Sequence, residues 1–348
     1  MAATVVLVTG VSGYLGGHLA ARLADDPEID RVIGVDTAAP SDELAALMGR
    51  AEFVRADIRN PLISRVITTA KVDTVVHASI TAHPAGPSGR PLHKEMNVLG
   101  TMQLLAACQR SPLVRKLVVK STAAVYGAGP ADPAAFTEDM APAELPSSGY
   151  AKDNAEVEAY VRGFCRRRPD VAVTTLRFTN LIGPQVDTVL TRYFALPAVV
   201  PMVLGRDARL QLVHSEDALA VLERAVTHDL PGVFNVGGDG VLLLTQAIRR
   251  AGRIPVPVPG PIVGPITGLF RGTRLLDFGP EQVRYLNFGR VVDTTRLKRV
   301  FGFTPRWTTR QAFDDYVHGR GLRPNPILDP DRLAAVEHGV VAAARTLR

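Results

Sequence analysis

The sequence predicts an α/β fold, a doubly wound parallel sheet followed by a smaller C-terminal domain. Two observations carry this expectation. The chain opens on a β-branched apolar run, Thr4 to Thr9, of the kind buried on both faces; it passes through glycines at 10, 13 and 16 into a segment with helical spacing, Leu15, Leu19 and Leu23. Short apolar runs then alternate with helix-length segments, the pattern of parallel strands joined by crossover helices. At 348 residues the chain is long enough for one large domain or two and buries a substantial core.

Each element has a local reason. In Gly10-Val11-Ser12-Gly13-Tyr14-Leu15-Gly16, residues without a Cβ permit a sharp turn and close approach to the backbone. The helix that follows offers free N–H groups and a partial positive charge, so the turn suits the diphosphate of a dinucleotide. Arg31-Val32-Ile33-Gly34-Val35-Asp36 reads as a second buried strand ending in an acid 20 residues beyond Gly16. That interval is the one at which a carboxylate accepts from an adenosine ribose, although an isolated acid in a strand-to-helix turn is common. A carboxylate there repels a 2′-phosphate and no arginine follows at once, which favours NAD over NADP.

The spacing G-x-x-G-x-x-G in Thr9 to Gly16 resembles the extended branch of the short-chain dehydrogenase/reductase superfamily, the NAD-dependent epimerase/dehydratase family. The resemblance implies a Rossmann domain and continues in order along the chain. The third strand, from Ala51, runs into Asp57-Ile58, similar to the family's adenine-contacting pair, and the fourth, Val72 to Ser79, ends in Ala78-Ser79 beside the cofactor. His77 at that strand's end is expected to be packed rather than catalytic. A Pro/Gly-rich loop from Thr81 to Pro91 leads into Asn97-Val98-Leu99-Gly100-Thr101, similar to N-V-x-G-T. The strand from Val114 delivers Ser121-Thr122-Ala123-Ala124-Val125-Tyr126-Gly127, in which Thr122 matches the hydroxyl residue that touches the reacting carbinol. Pro146 to Ser148 precede a helix that opens on Tyr150, and Val171 to Phe178 form a sixth strand. Asn180 begins a match to N-x-x-G-P, Val213-His214 with Asp217 resembles V-H-x-x-D in which the acid caps a helix, and Phe234 to Gly238 resembles F-N-V-G-G.

These matches imply an NAD-binding Rossmann domain over 1–180 and a mainly substrate-binding domain over 181–320, from which about 210–238 return to the sheet. Residues 321–348, with Pro324, Pro326 and a helical tail from Asp331, read as a C-terminal arm. The cofactor set carried over is Gly10, Ser12, Gly13, Tyr14, Leu15, Gly16, Asp36, Asp57, Ile58, Ala78, Ser79, Asn97, Ser121, Tyr150 and Asn154. Thr122, Tyr150 and Asn154 form the catalytic set, and Thr122, Asn180 and Arg209 face a small-molecule substrate such as a nucleotide sugar.

Two departures stand out. The family's tyrosine exchanges a proton with a hydroxyl or carbonyl while hydride passes to or from the nicotinamide. A phenol of pKa ~10 needs a shift of about three units, roughly 4 kcal/mol, to serve as a base near neutrality. The family supplies it with a lysine one turn later, where this chain has Asn154. Lys152 starts about 200° around the helix from Tyr150, and Asp153 acts in the wrong direction. The family's late Arg-x-Gly-Asp run is also absent; Arg284-Tyr285-Leu286-Asn287-Phe288-Gly289-Arg290 stands there instead. Arg209 precedes His214 by five residues rather than four, yet shares a strand face with Gln211 as a polar wall, or is a surface arginine. The departures leave three readings: an NAD-dependent epimerase or oxidoreductase laid out like UDP-glucose 4-epimerases, a cofactor-holding regulatory or scaffold protein, or a reductase for a hydrophobic substrate. The third is suggested by the apolar stretch from Arg253 through Pro265, Ile266, Leu269 and Phe270 to Arg274.

Composition narrows the partners. A net charge of +6 is spread along the chain, and its one compact run, Arg166-Arg167-Arg168, closes a helix, so no nucleic-acid partner is expected. Cys108 and Cys165 lie in separate helical patterns without metal-ligand spacing, which predicts reduced thiols, no metal and a cytoplasmic location. A core strand at the start leaves no place for a signal peptide, and no apolar run reaches membrane-spanning length. The resemblance further implies a homodimer through the helices holding Asn97 to Ala107 and Tyr150 to Phe164.

Overall fold

The computed structural model describes residues 4–80, 94–142, 149–259 and 280–322. The expected loop at Thr81 to Pro91, the residues Pro146 to Ser148, most of the apolar stretch (260–279) and nearly all of the C-terminal arm (323–348) lie outside the described residues.

Seven parallel strands form the central sheet: β1 (Val5–Thr9), β2 (Arg31–Asp36), β3 (Glu52–Arg55), β4 (Thr74–His77), β5 (Lys116–Thr122), β6 (Ala172–Phe178) and, later in the chain, Gly232–Val236. Gly232–Val236 lies at one edge beside β6, followed by β5, β4, β1, β2 and β3. The order reverses between β1 and β4, and in open sheets of this kind ligands bind at the C-terminal ends of the strands beside that reversal. Helices α1 (Tyr14–Asp25), α2 (Asp42–Leu47), α3 (Ile63–Thr69), α4 (Gly100–Arg110) and α5 (Gly149–Arg167) supply the crossovers, α4 being preceded by a π turn, Glu95–Leu99.

Alternation along β1 builds two apolar layers. Val6 and Val8 face one with Leu19, Leu23, Leu219 and Leu222; Val5 and Leu7 face the other with Leu104, Leu117, Val157 and Phe164. A third cluster around Phe194, Leu212, Ile248, Phe313 and Tyr316 forms the core of the remainder.

Of the stretch 210–238, Gly232–Val236 joins the sheet and the helix α6 (Ser215–Thr227) packs on α1. Leu212–His214 does not: it pairs in parallel with Asn180–Ile182 beyond the end of β6. Arg209–Leu210 pairs instead with Leu242–Leu243 and Gly289–Arg290, so the chain kinks at Gln211 between two small sheets. The expected cap of α6 is also different. His214 holds that position, its Nδ1 accepting from Glu216 N, while the Asp217 carboxylate accepts from the backbone N–H groups of Arg306 and Trp307 at 2.9 and 3.0 Å. A buried acid facing two loop donors satisfies them better than it satisfies its own helix. Arg168 is likewise more than a solvated helix end: its guanidinium donates to the carbonyls of Cys108, Gln109, Ser111 and Val114, closing the last turn of α4 and the loop after it.

Candidate active site

The glycine turn sits at the end of β1 against the exit of β4. Gly10 has φ +78°, and a Cβ there would stand 2.6 Å from Ser79 Cα, so the two exits touch through backbone. Thr9 Oγ1 accepts from Ala78 N at 3.2 Å and Ser79 N at 3.3 Å, fixing Ala78 and Ser79 beside the turn. A Cβ on Gly16 would overlap Gly10 O, whereas one on Gly13 would meet nothing closer than 3.4 Å. Gly13 begins α1 with no side-chain cap, and the α1 N-terminus at Tyr14, Leu15 and Gly16 is therefore left open to an anion. Tyr14 turns its ring onto His18, and Leu15 is buried. Ser12 turns towards Asp36, whose Oδ2 accepts from Ser12 N at 3.0 Å and Ser12 Oγ at 2.6 Å. Asp36 thus braces the turn. In register across from it stands Arg55, whose Nε donates to Thr37 O at 3.0 Å. Asp57 accepts from Arg59 Nη2 at 2.6 Å, which holds its carboxyl below the usual range, and Ile58 packs beside Gly100.

Thr122, Tyr150 and Asn154 come together at the end of β5. Burial pushes the Tyr150 phenol up to about 12, against the influence of the Asn154 and Thr122 side chains. Glu281, from the helix Pro280–Phe288, pushes the same way as burial; it, and not the neighbouring Asp153, is the acid acting on Tyr150. Its Oε2 accepts from Ala151 N at 3.1 Å, and its carboxylate occupies the space a Cβ on Gly149 would need. Asn154 Nδ2 donates to Tyr150 O at 2.8 Å, and Asn154 Oδ1 is buried with no hydrogen-bond partner among the described residues. No lysine stands at the i+4 position, so the tyrosine lacks the cation expected one turn along.

Other expected site residues are placed differently. Ser121 is buried and donates to Glu158 Oε1 at 2.6 Å, on the α5 side of the sheet and away from Thr122. Glu158 in turn pairs with buried Arg177 at 2.7 Å. Asn97 is buried in the π turn, its carbonyl accepting from Thr101 Oγ1. His77 is packed, hydrogen-bonded to Thr9 and Thr101. The polar wall of Arg209 and Gln211 does not form, because the kink turns Gln211 inward to donate to Gly238 O at 3.1 Å and accept from Val292 N at 2.7 Å.

Arg209 instead lines a cavity of about 280 Å³ with Arg206 and Arg290, flanked by Phe288, Asp132 and Asp207. Arg290 Nε donates to Gly127 O at 2.5 Å, five residues beyond Thr122, and burial pushes the Tyr285 hydroxyl up to about 12, against the influence of Arg290 and Asn180. Sequence reasoning missed Arg206, Glu281 and Arg290, which lie in segments without a motif.

Residues 6–237 match the NAD dependent epimerase/dehydratase family. An uncharacterized protein of Mycobacterium tuberculosis is 54% identical over 341 residues, 98% of this chain and 90% of its own length. Among solved structures, the UDP-glucose 4-epimerase of Thermotoga maritima with UDP-glucose superposes with a TM-score of 0.71 at 20% identity, covering 91% of this chain and 98% of that one. The dTDP-glucose 4,6-dehydratase of Bacillus anthracis in complex with NAD gives 0.70 at 20% identity, over 92% and 97%. Those two likenesses are of fold, and they agree with the parallel central sheet. With two thirds of its length matched, the chain belongs to the NAD-dependent epimerase/dehydratase family.

Proposed function

We propose that the protein is an NAD-dependent oxidoreductase or epimerase acting on a hydroxyl or carbonyl of a nucleotide-sugar-like substrate. The observation that carries this reading is the Thr122, Tyr150 and Asn154 cluster at the C-terminal end of β5, in a chain that also has an uncapped α1 N-terminus at the end of β1 and an arginine-lined cavity. The residues fit the cofactor on two counts: a Cβ on Gly13 would meet nothing closer than Gly10 O at 3.4 Å, so α1 begins uncrowded, and Asn154 Oδ1 is a buried acceptor with no partner among the described residues, suited to a ribose hydroxyl. When bound, NAD supplies reversible hydride acceptance.

The chain's own residues do the rest. The α1 N-terminus and the turn hold the diphosphate; Asp36 favours the unphosphorylated adenosine ribose. Thr122 orients the substrate hydroxyl, and Tyr150 Oη takes or returns its proton. Arg206, Arg209 and Arg290 supply positive charge for a substrate diphosphate, with Phe288 as an apolar face, and Asn180 faces the substrate.

NAD⁺ titrated into protein stripped of endogenous ligand should bind at least tenfold tighter than NADP⁺ by calorimetry, and mass analysis of the protein as purified should find NAD(H). Tyr150→Phe should leave that affinity within about threefold and lower turnover of UDP-sugars by about 10²-fold or more. Absence of binding to either oxidised or reduced nucleotide ends this reading. The second reading, a cofactor-holding regulatory protein, is favoured by one observation: Tyr150 stands at about 12 with no cation at position 154. Asn154→Lys separates the two. Gain of epimerisation or dehydrogenation indicates an enzyme held back by its asparagine, and continued inertness with unchanged NADH affinity indicates a binding module.

A further inference from the structure

The hydroxyls of Thr122 and Tyr150 are set to give protons rather than to take them. Thr122 Oγ1 accepts from Ala124 N at 3.1 Å, which leaves its O–H to donate. Tyr150 belongs to the first turn of α5, where a side chain leans towards the helix N-terminus. Glu281, from the helix Pro280–Phe288 that packs on α5, holds that end. Its Oε2 accepts from Ala151 N at 3.1 Å, and its Oε1 would stand 1.8 Å from a Cβ on Gly149, so the carboxylate fits there because residue 149 has no side chain. The acid therefore touches the residue before Tyr150 and the residue after it. Asn154 spends Nδ2 on Tyr150 O at 2.8 Å and brings no positive charge to offset the acid.

We propose that the site is built to reduce a carbonyl: Glu281, a positioning residue acting through Tyr150, keeps the phenol protonated, and Thr122 and Tyr150 present two O–H donors to the carbonyl oxygen of a keto-sugar nucleotide. This rests on the function proposed above and narrows its substrate from a hydroxyl or carbonyl to the carbonyl. The carbonyl carbon gains a hydride from NADH, which becomes NAD⁺; the π pair moves to the oxygen, which takes the Tyr150 proton, and water reprotonates the phenolate. Burial, and with it the Glu281 charge, sets Tyr150 at about 12 against Asn154 and Thr122. Two neighbouring cations are directed elsewhere: Arg290 faces Glu281 and Tyr285, and Lys94, at the start of the π turn, lies 4.0 Å from Glu156. At neutral pH the phenolate share is then about 10⁻⁵, which disables a base and leaves the donor form whole. An alkoxide, roughly as basic as hydroxide, still takes a proton from such a phenol downhill.

The first test is ¹³C NMR of the whole protein labelled at tyrosine Cζ, with the Tyr150 signal assigned by its disappearance in Tyr150→Phe. In the wild type that signal should hold its neutral position up to about pH 10, and ionisation below about pH 9 overturns the proposal. Asn154→Lys should bring the midpoint down by about one unit or more, into a range that can be titrated. Adding Glu281→Gln, which keeps an acceptor for Ala151 N, should lower it by about a further half unit, a threefold gain of phenolate at a given pH. Equal midpoints with and without the Glu281 charge overturn its role. Stopped-flow absorbance of the nicotinamide reads the chemistry. Protein loaded with NADH and mixed with UDP-4-keto-6-deoxyglucose should oxidise it at a rate constant that stays within about twofold from pH 6.5 to 9. Protein loaded with NAD⁺ and mixed with UDP-glucose should reduce it at an initial rate that climbs about tenfold per pH unit over that range, and a flat profile overturns the assignment of Tyr150 as donor. Failure of either nucleotide to bind the wild type overturns the function proposed above, while the titration still reads the Glu281–Tyr150 coupling; nucleotide that binds and is left unoxidised by the keto sugar overturns the reductase alone.

Discussion

His77 ends β4 with both ring nitrogens engaged, Nδ1 at 3.0 Å from Thr9 Oγ1 and Nε2 at 2.8 Å from Thr101 Oγ1. It bonds the β1 exit to α4 across the sheet, a task that suits a neutral ring with one donor and one acceptor. Burial and the Lys120 charge hold it down to about 3, while the same histidine in the unfolded chain titrates near ~6.5. Between those values the unfolded state binds the extra proton. The contribution of His77 is therefore whole above pH ~6.5 and is lost as the pH falls towards 3, at up to about 1.4 kcal/mol per pH unit. His77→Gln, which keeps a donor and an acceptor without a titrating ring, should flatten the decline in urea-unfolding free energy between pH 6.5 and 4.5. A decline of wild-type steepness in that variant would show that other groups carry the acid sensitivity. The packed role of His77 was legible in the sequence because its strand was; the partners of Ser121 and Gln211 were not, since Glu158 and Val292 reach them from distant segments.

The glycine turn separates folding from binding within one element. Gly16 faces Gly10 O inside van der Waals contact, so Gly16→Ala must displace either the turn or α1, and a loss of about 2 kcal/mol or more is expected from such overpacking against backbone. A Cβ on Gly13 would meet only Gly10 O, at an ordinary contact distance of 3.4 Å, and the backbone there is extended, a conformation that any residue adopts. Gly13→Ala should accordingly melt within a few degrees of the wild type and still lose tenfold or more in NAD⁺ affinity, read by calorimetry beside thermal denaturation. Equal stability losses in both variants would mean that the turn is a packing feature only. Elements of this kind were readable because their causes are local: a β-branched run, a glycine, a change of period from 2 to 3.6. The kink at Gln211 and the capping of α6 by His214 were not, because each is decided by pairing with Asn180–Ile182, Gly289–Arg290 and the loop at 306–307. The arginine cavity escaped for the same reason: Arg206, Arg209 and Arg290 converge only once those small sheets form.

At the scale of the molecule the two faces of the sheet are finished unequally. On one face α1 and α6 cover each other and the sheet between them; on the other α4 and α5 pack side by side and leave apolar residues outward. Leu99 and Met102 are 48% and 39% exposed and lie three residues apart, on one side of the helical segment, and Tyr160 on the adjoining α5 is 38% exposed. Their inward neighbours Leu104, Leu105, Val157 and Val161 are buried, so the amphipathic period breaks at the outer surface rather than in the core. No helix among the described residues is long and apolar enough to cross a membrane. We propose that a second copy of the chain covers this surface: a two-fold pairing of α4 and α5 with their symmetry mates would set the same apolar residues against each other and bury them in a four-helix layer. Met102→Arg combined with Tyr160→Glu places unpaired charge at the centre of that contact. The double variant should elute and scatter as a monomer at concentrations where the wild type is dimeric, with its far-ultraviolet circular dichroism unchanged. Because α5 carries Tyr150 and Asn154 at its first turns, monomerisation should also loosen NAD⁺ binding several-fold. A monomeric wild type by light scattering would remove the dimer and leave the exposed strip to another partner.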